Sequence, residues 1–197
     1  MSPPNEPPPR VLYLCTTFPK ASETFVQREV RVLRTLLRLE IISLWGGGKE
    51  FEGTPVRCMP LSRLWRLVTR LPAELFLRPA AFLRIVSALL DRGCPGWLNL
   101  QETGLGLGMG ILLAREVRRR PPDWIHGVWA TAPATAALVL HHLTGRRFSF
   151  AAHAYDLYQH GGDWLLRGKL RRADWVQTST RTAAREVAGR IPAPVEV

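Results

Sequence analysis

The sequence is short of cysteine and of acidic residues, and it has no long apolar run. Its three cysteines, Cys15, Cys58 and Cys94, stand far apart and form no CxxC pair. Their spacing rules out a metal-like cluster and fits reduced thiols in a cytosol. No apolar stretch approaches the ~20 residues needed to cross a bilayer. The best candidate, Gly104 to Ala114, is too short and half glycine at its start. Met1 to Arg10 is proline-rich and lacks the apolar core of a signal peptide, so it reads as a loose tail. His141 and His142 have no metal-like partners, and neither a nucleophile elbow nor a Ser-His-Asp pattern is present. No metal and no cofactor is expected. Acidic residues number 16 against 27 basic ones, a formal net charge of +11. That excess points to an anionic partner: a phosphate-bearing substrate, an anionic membrane surface or nucleic acid. A solvated basic surface would account for it equally well. Nucleic acid is disfavoured, because no recognised motif and no aromatic–basic interleaving on strands is present.

What is there suits one α/β domain. The chain has 197 residues, 46% of them hydrophobic, which is enough for a real core but too short for two full α/β domains. Val11 to Cys15 reads as a buried strand. Ser22 stands where a helix N-cap belongs, with Glu23 in the first turn, and Val26, Val30, Leu33 and Leu37 repeat at helical spacing. Glu40 to Trp45 is a second strand, stopped by Gly46, Gly47 and Gly48, which completes a βαβ unit. Leu61 to Arg92 carries six arginines and no strand pattern; Pro72 and Pro79 are expected to break it into short helices. Gly104 to Arg120 is another helix, and its GLGLGMG start reads as close helix packing rather than a phosphate loop. Alternation then resumes: strand Trp124–Trp129, helix Pro133–Leu143 capped by Gly145, strand Arg147–Ala152, helix Trp164–Arg172, strand Trp175–Thr178, helix Thr182–Arg190 and a strand from Val195 to Val197. This order predicts a Rossmann-like, doubly wound parallel sheet with an inserted basic helical segment over about 61–120.

Ligands of such sheets bind beyond the carboxyl ends of the strands. Three loops qualify. In Thr16 to Glu23, the helix start offers free N–H groups to a phosphate or a sugar hydroxyl, and Glu23 can accept a hydroxyl hydrogen bond. In Ala130 to Pro133, Thr131 is a candidate ligand contact or, more simply, a helix cap. In His153-Ala154-Tyr155-Asp156, His153 can bond a hydroxyl or carry a proton, and Asp156 can orient it or bind a hydroxyl. His126, inside a strand, reads as a core histidine.

Several segments resemble family 4 glycosyltransferases, especially those that build bacterial polysaccharides. The stretch from Phe18 to Phe25, FPKASETF, resembles the FPxxSETF opening of that group. Ile125 to Ala134, IHGVWATAPA, is similar to its HxHFAxxPA stretch, with Val128 in place of the second histidine. Phe148 to Tyr158, FSFAAHAYDLY, resembles FSFTAHAxDIY, and Ala173 to Thr180, ADWVQTST, looks like the following ADxVxTxS strand. The resemblance implies the N-terminal, acceptor-side half of a GT-B fold, in which two Rossmann-like halves face each other across a cleft. It implies transfer of a sugar from a nucleotide-sugar donor to a glycan or lipid-linked acceptor, with retention of anomeric configuration. His153 would be the catalytic histidine near the donor sugar. Ser22 and Glu23 would line the cleft floor; Thr131 and Asp156, from the loop reading above, are the further candidate substrate contacts. The acidic EX7E donor motif of the C-terminal half is not in this sequence, so the chain alone is expected to be inactive. The expected setting is the cytoplasm, peripheral on the inner face of the membrane, where the Leu61 to Arg92 segment could lie on anionic lipid. The competing function is a non-catalytic glycan-binding or scaffolding module that partners a separate glycosyltransferase.

Overall fold

A computed structural model describes residues 7–158 and 162–190. The first six residues of the proline-rich tail and the expected strand Val195–Val197 lie outside the described residues. The fold is α/β, built on a seven-stranded, mostly parallel sheet of order β3-β4-β2-β1-β5-β6-β7. Central β1 (Arg10–Thr17) pairs in parallel with β2 (Arg38–Gly46) on one side and β5 (Trp124–Gly127) on the other. The apolar run of β1 is continuous because both faces are covered: Leu12 and Leu14 enter one core, Tyr13 and Cys15 the other. β6 (Phe148–Ala152) and β7 (Trp175–Thr178) extend the parallel sheet beyond β5.

The hairpin β3 (Glu50–Phe51) and β4 (Thr54–Cys58) was not legible as strand, because two residues carry no period. Its turn is nonetheless marked by Glu52-Gly53, both at positive φ (47° and 79°), the geometry of a type I′ turn.

α1 (Thr24–Leu36) covers one face of the sheet and buries Val26 and Val30. It begins later than the N-cap reading of Ser22 implies. Glu23 holds the cap position without a side-chain cap bond, and Ser22 is exposed. The displacement follows from a turn in which the Glu23 N–H donates to the Lys20 carbonyl at 3.0 Å, while Lys20 Nζ takes the Glu23 carboxylate at 2.9 Å.

The other face carries α4 (Trp97–Arg119) and α5 (Ala132–Thr144). α4 starts seven residues before the expected Gly104 start (97 against 104). Its glycines serve close packing, as the sequence suggests. A methyl on Gly106 would lie 2.5 Å from the Ala132 carbonyl oxygen, and one on Gly110 would lie 2.7 Å from Val139 Cβ. At these points α4 and α5 meet almost backbone to backbone.

The inserted segment is a 3-10 turn (Leu61–Arg66), α2 (Leu67–Leu77) and α3 (Pro79–Leu90). Pro79 opens α3, but Pro72 lies inside α2 and does not break it. The carbonyl that Pro72 deprives of its helical partner is that of Val68, a residue 78% exposed, so water can reach it. α2 is also anchored by Glu74, buried and gripped by both Arg118 guanidinium nitrogens. The chain ends its described course with α6 (Ala154–Tyr158), α7 (Leu166–Leu170) and α8 (Arg181–Gly189), the last capped by Thr180 Oγ1 accepting from the Ala183 N–H at 3.1 Å.

The glycines of α4 should separate by position. Gly104 has nothing within 4 Å of an added methyl, so Gly104→Ala is expected to stabilise by about 0.5–1 kcal/mol, the helix-propensity gain. Gly110→Ala is expected to destabilise by about 1–3 kcal/mol, because Val139 and the Ala136 carbonyl cannot both yield. Urea unfolding of the two variants checks this; equal effects would refute the close-packing role.

Candidate functional site

The chain runs outward from β1 through β2 to β4, then returns to place β5 on the opposite side of β1. β1 and β5 therefore flank the point where strand order reverses, and the region beyond their carboxyl ends is where sheets of this kind bind ligands. Three loops meet there, those after β1, β5 and β6.

Each loop is held by specific close contacts. The first is fixed by Ser43, whose Oγ accepts from the Phe18 N–H at 3.1 Å, and by Gly47, where a side chain would lie 2.0 Å from the Phe18 carbonyl oxygen. Gly47 also has φ +112°, which only glycine adopts readily. The second loop turns tightly because Gly127 lets the start of α5 approach; a methyl there would sit 2.7 Å from the Ala134 nitrogen.

Three rings converge, Phe25 from the first turn of α1, Trp129 from the loop after β5 and His153 from the loop after β6. The His153 ring lies 4.6 Å from Trp129 and 5.1 Å from Phe25, and Phe25 lies 5.7 Å from Trp129, all edge to face. Glu23 joins them: its Oε2 accepts from Trp129 Nε1 at 3.4 Å, while Oε1 holds Lys20. Phe25 is exposed and forms the outer rim.

His153 Nε2 is buried with no hydrogen-bond partner among the described residues. Burial lowers the pKa of the ring, against opposing effects of the Val128 carbonyl and the Glu23 charge. The ring is thus neutral near pH 7. A hydrogen bond to Val128 leaves Nε2 carrying the lone pair, ready to accept from a hydroxyl.

Asp156 does not reach the imidazole. Its Oδ2 accepts from the His153 backbone N–H at 3.0 Å and from the Ala130 N–H at 3.3 Å, which clamps the β6 loop to the β5 loop. Its Oδ1 is buried without a partner among the described residues. Burial raises its pKa to about 6; the two N–H donors and Lys169 oppose the rise and Asp163 adds to it. Thr131 occupies the N-cap position of α5, but its hydroxyl makes no cap bond; its carbonyl accepts from Lys169 Nζ at 3.2 Å. Ser22 joins no hydrogen bond among the described residues and stands exposed at the end of the first loop. The loops after β1, β5 and β6 therefore bring Glu23, His153, Asp156 and Thr131 to one end of the sheet and leave Ser22 exposed at its edge.

Sequence reasoning missed the supports. Lys169, in α7, is 0% exposed, as is Asp163, whose Oδ1 it meets at 2.5 Å; its Nζ also donates to the Ala130 carbonyl. Burial lowers the Lys169 pKa while Asp163 raises it. Only three of the 27 basic residues are lysine, and this one stands among Arg167, Arg171 and Arg172, so the sequence carries no sign that it alone is buried. Glu102 of α4 completes the cluster, its pKa raised to about 7 by burial and by the Asp163 and Asp156 charges. On the opposite sheet face, His126 stacks on Tyr13 at 5.4 Å and shares a hydrogen bond with Ser149 Oγ at 2.8 Å, while its Nε2 is buried with no hydrogen-bond partner among the described residues. Burial lowers its pKa to about 4.

Asp156 supplies a pH test. Its carboxyl titrates near 6 in the fold and at the model-compound 3.8 when unfolded, so the native state holds the extra proton between those values. Its contribution to stability is therefore lost as pH rises through that window. Asp156→Asn keeps an acceptor for both backbone N–H groups and removes the ionisation. The melting temperature of the variant relative to the parent should rise from pH ~4 to pH ~6.5, by an amount equivalent to roughly 2–3 kcal/mol. A difference that is flat or falls with pH would mean the carboxyl is not desolvated.

No protein-family model, no curated protein and no solved structure matches this chain.

Proposed function

We propose that this domain is the acceptor-side wall of a retaining GT-B glycosyltransferase, with a second Rossmann-like domain holding the nucleotide sugar. The observation that carries the reading is His153: a buried, neutral imidazole with an unengaged Nε2, at the carboxyl end of β6 beside the strand-order reversal. The motif resemblance assigns the same residue. A lone pair in that position accepts a hydrogen bond from a donor-sugar hydroxyl. As positive charge builds at the anomeric carbon, the electron density on that hydroxyl becomes more valuable, so the bond strengthens toward the transition state. Trp129 and Phe25 offer apolar ring surface beside it, and Asp156 acts through the backbone by fixing where the His153 loop lies. Glu23 has both oxygens engaged, by Trp129 and by Lys20, so a sugar hydroxyl would have to share it or displace Lys20. The acceptor in this reading is a glycan or lipid-linked glycan in cell-surface polysaccharide synthesis, and the reaction uses no metal from this domain.

Incubated alone with a panel of radiolabelled nucleotide hexoses and a membrane-lipid extract, the chain should transfer no sugar. Joined to a donor-binding GT-B domain it should turn over, and His153→Ala should cut the rate per folded molecule by on the order of a hundredfold with an unchanged thermal midpoint. Turnover by the chain alone would refute the need for a second wall. A lowered midpoint with an unchanged rate would make His153 structural. Glycan binding without transfer in the joined protein would favour the non-catalytic module.

A further inference from the structure

The inserted helices bury one face and leave the other apolar. α2 turns Leu67 and Glu74 inward, toward Gly108 and Arg118 of α4. α3 turns Ala81 and Ile85 into the core, with Ala88 against Gly168 of α7. Both helices rest on the α4–α5–α7 layer, so their opposite faces look away from the sheet. Those faces should be polar in a domain exposed to water on that side. Instead Val68, Leu71 and Leu75 form an i, i+3, i+7 ridge along α2, and all three are exposed. Leu83, Val86 and Leu90 repeat the same spacing along α3, also exposed, with Leu90 at 79%. Phe76 at 88%, Trp65, and Trp97 at the start of α4 add large rings to the same inserted segment. Scattered apolar residues on a surface need no explanation, but two full-length ridges do.

The charges beside these ridges are of one sign. Arg63, Arg66, Arg70, Arg78 and Arg84 form no ion pair among the described residues. The two acids of the segment are directed elsewhere: Glu74 to Arg118, and Asp91 to Arg171 at 3.8 Å. Arg66 lies over the exposed Trp65 ring, 5.8 Å from its centroid. Two hollows border the ridges. One gathers Arg70 with Arg115, Arg119 and Arg120, its single carboxylate, Glu116, being taken by Arg57. The other gathers Arg84 with Arg171 and Arg172, beside Asp91.

We propose that the outer face of α2 and α3, with Trp65 and Trp97, docks on an anionic lipid bilayer. The apolar ridges and rings enter the acyl boundary, and the bordering arginines meet lipid phosphates. A second copy of the chain fits poorly, since twofold pairing of this face would set arginine against arginine. This surface stands apart from the function proposed above, because its test reads lipid binding and not sugar transfer.

Cosedimentation of the full chain with vesicles of phosphatidylcholine alone, or mixed with phosphatidylglycerol, reads the partition coefficient. Binding is expected to the mixed vesicles, weakening as salt rises. Replacing Arg66, Arg70 and Arg84 with glutamine should weaken it by about fivefold per arginine, the factor that corresponds to about 1 kcal/mol each. Val68→Ser, Leu83→Ser and Leu90→Ser combined should abolish it while leaving the melting temperature unchanged, since these side chains bury little. Brominated lipid should quench the fluorescence of the parent protein, and the effect should fall in the Trp65→Phe, Trp97→Phe variant, a readout independent of the serine variant's folding. Equal binding to neutral and anionic vesicles, no binding to either, or no quenching would overturn the proposal. So would a lipid-free dimer, seen by light scattering, that the serine substitutions dissolve, because the second copy would then be the occupant.

Discussion

A single buried ammonium holds the site end of this domain together. Lys169 reaches from α7 to the Ala130 and Thr131 carbonyls and to Asp163, so the turn after β5 and the segment after β6 are tied to one point. A lysine with no access to water persists only when its three donors are matched, and here each has an oxygen. Asp156 repeats the tie from the other side with its two backbone contacts. The position of His153 follows from these two residues more than from its own side chain.

The cost of that arrangement is visible in the groups left over. Asp156 Oδ1, Asp163 Oδ2 and His153 Nε2 are buried without partners among the described residues. Buried polar atoms are normally satisfied, so unmatched ones call for an explanation; Tyr13 Oη and His126 Nε2 are unmatched as well, but on the opposite sheet face, and what distinguishes the first three is their place beyond the carboxyl ends of the strands. The same clustering does not occur at the arginine-lined hollows, which are open and solvated.

Much of this was legible in the sequence, and the failures have physical causes. The parallel sheet followed from alternating buried runs and periodic helices, because a strand covered on both faces has to be apolar throughout. The glycine run of α4 announced close packing, and His126 announced itself as core by lying within a strand. The cap at Ser22 failed because a Lys20–Glu23 ion pair and a local turn moved the helix start, and neither is a matter of composition. Trp129 was missed as a site residue because β5 ends two residues earlier than its apolar pattern, which frees the ring to meet His153. Lys169 and Asp163 were missed because burial of a charge depends on what three separate loops bring to it.

The titrations inside the domain run in two directions, so acid weakens the fold at one set of groups and favours it at another. His126 and His142 are held down to about 4 and His153 is lowered too, so unfolding takes up protons there and stability drains away as pH falls below the usual imidazole range. Asp156 at about 6, Glu102 at about 7 and a raised Glu29 do the reverse: unfolding releases their protons, and acid favours the fold. Over mildly acidic pH the uptake at the imidazoles therefore opposes the release from the carboxyls. An anionic lipid surface at about −30 mV draws protons toward it and is more acidic than bulk water by about half a pH unit. A domain in which these two sets of groups oppose each other would feel that acidity less than one that carried the buried imidazoles alone.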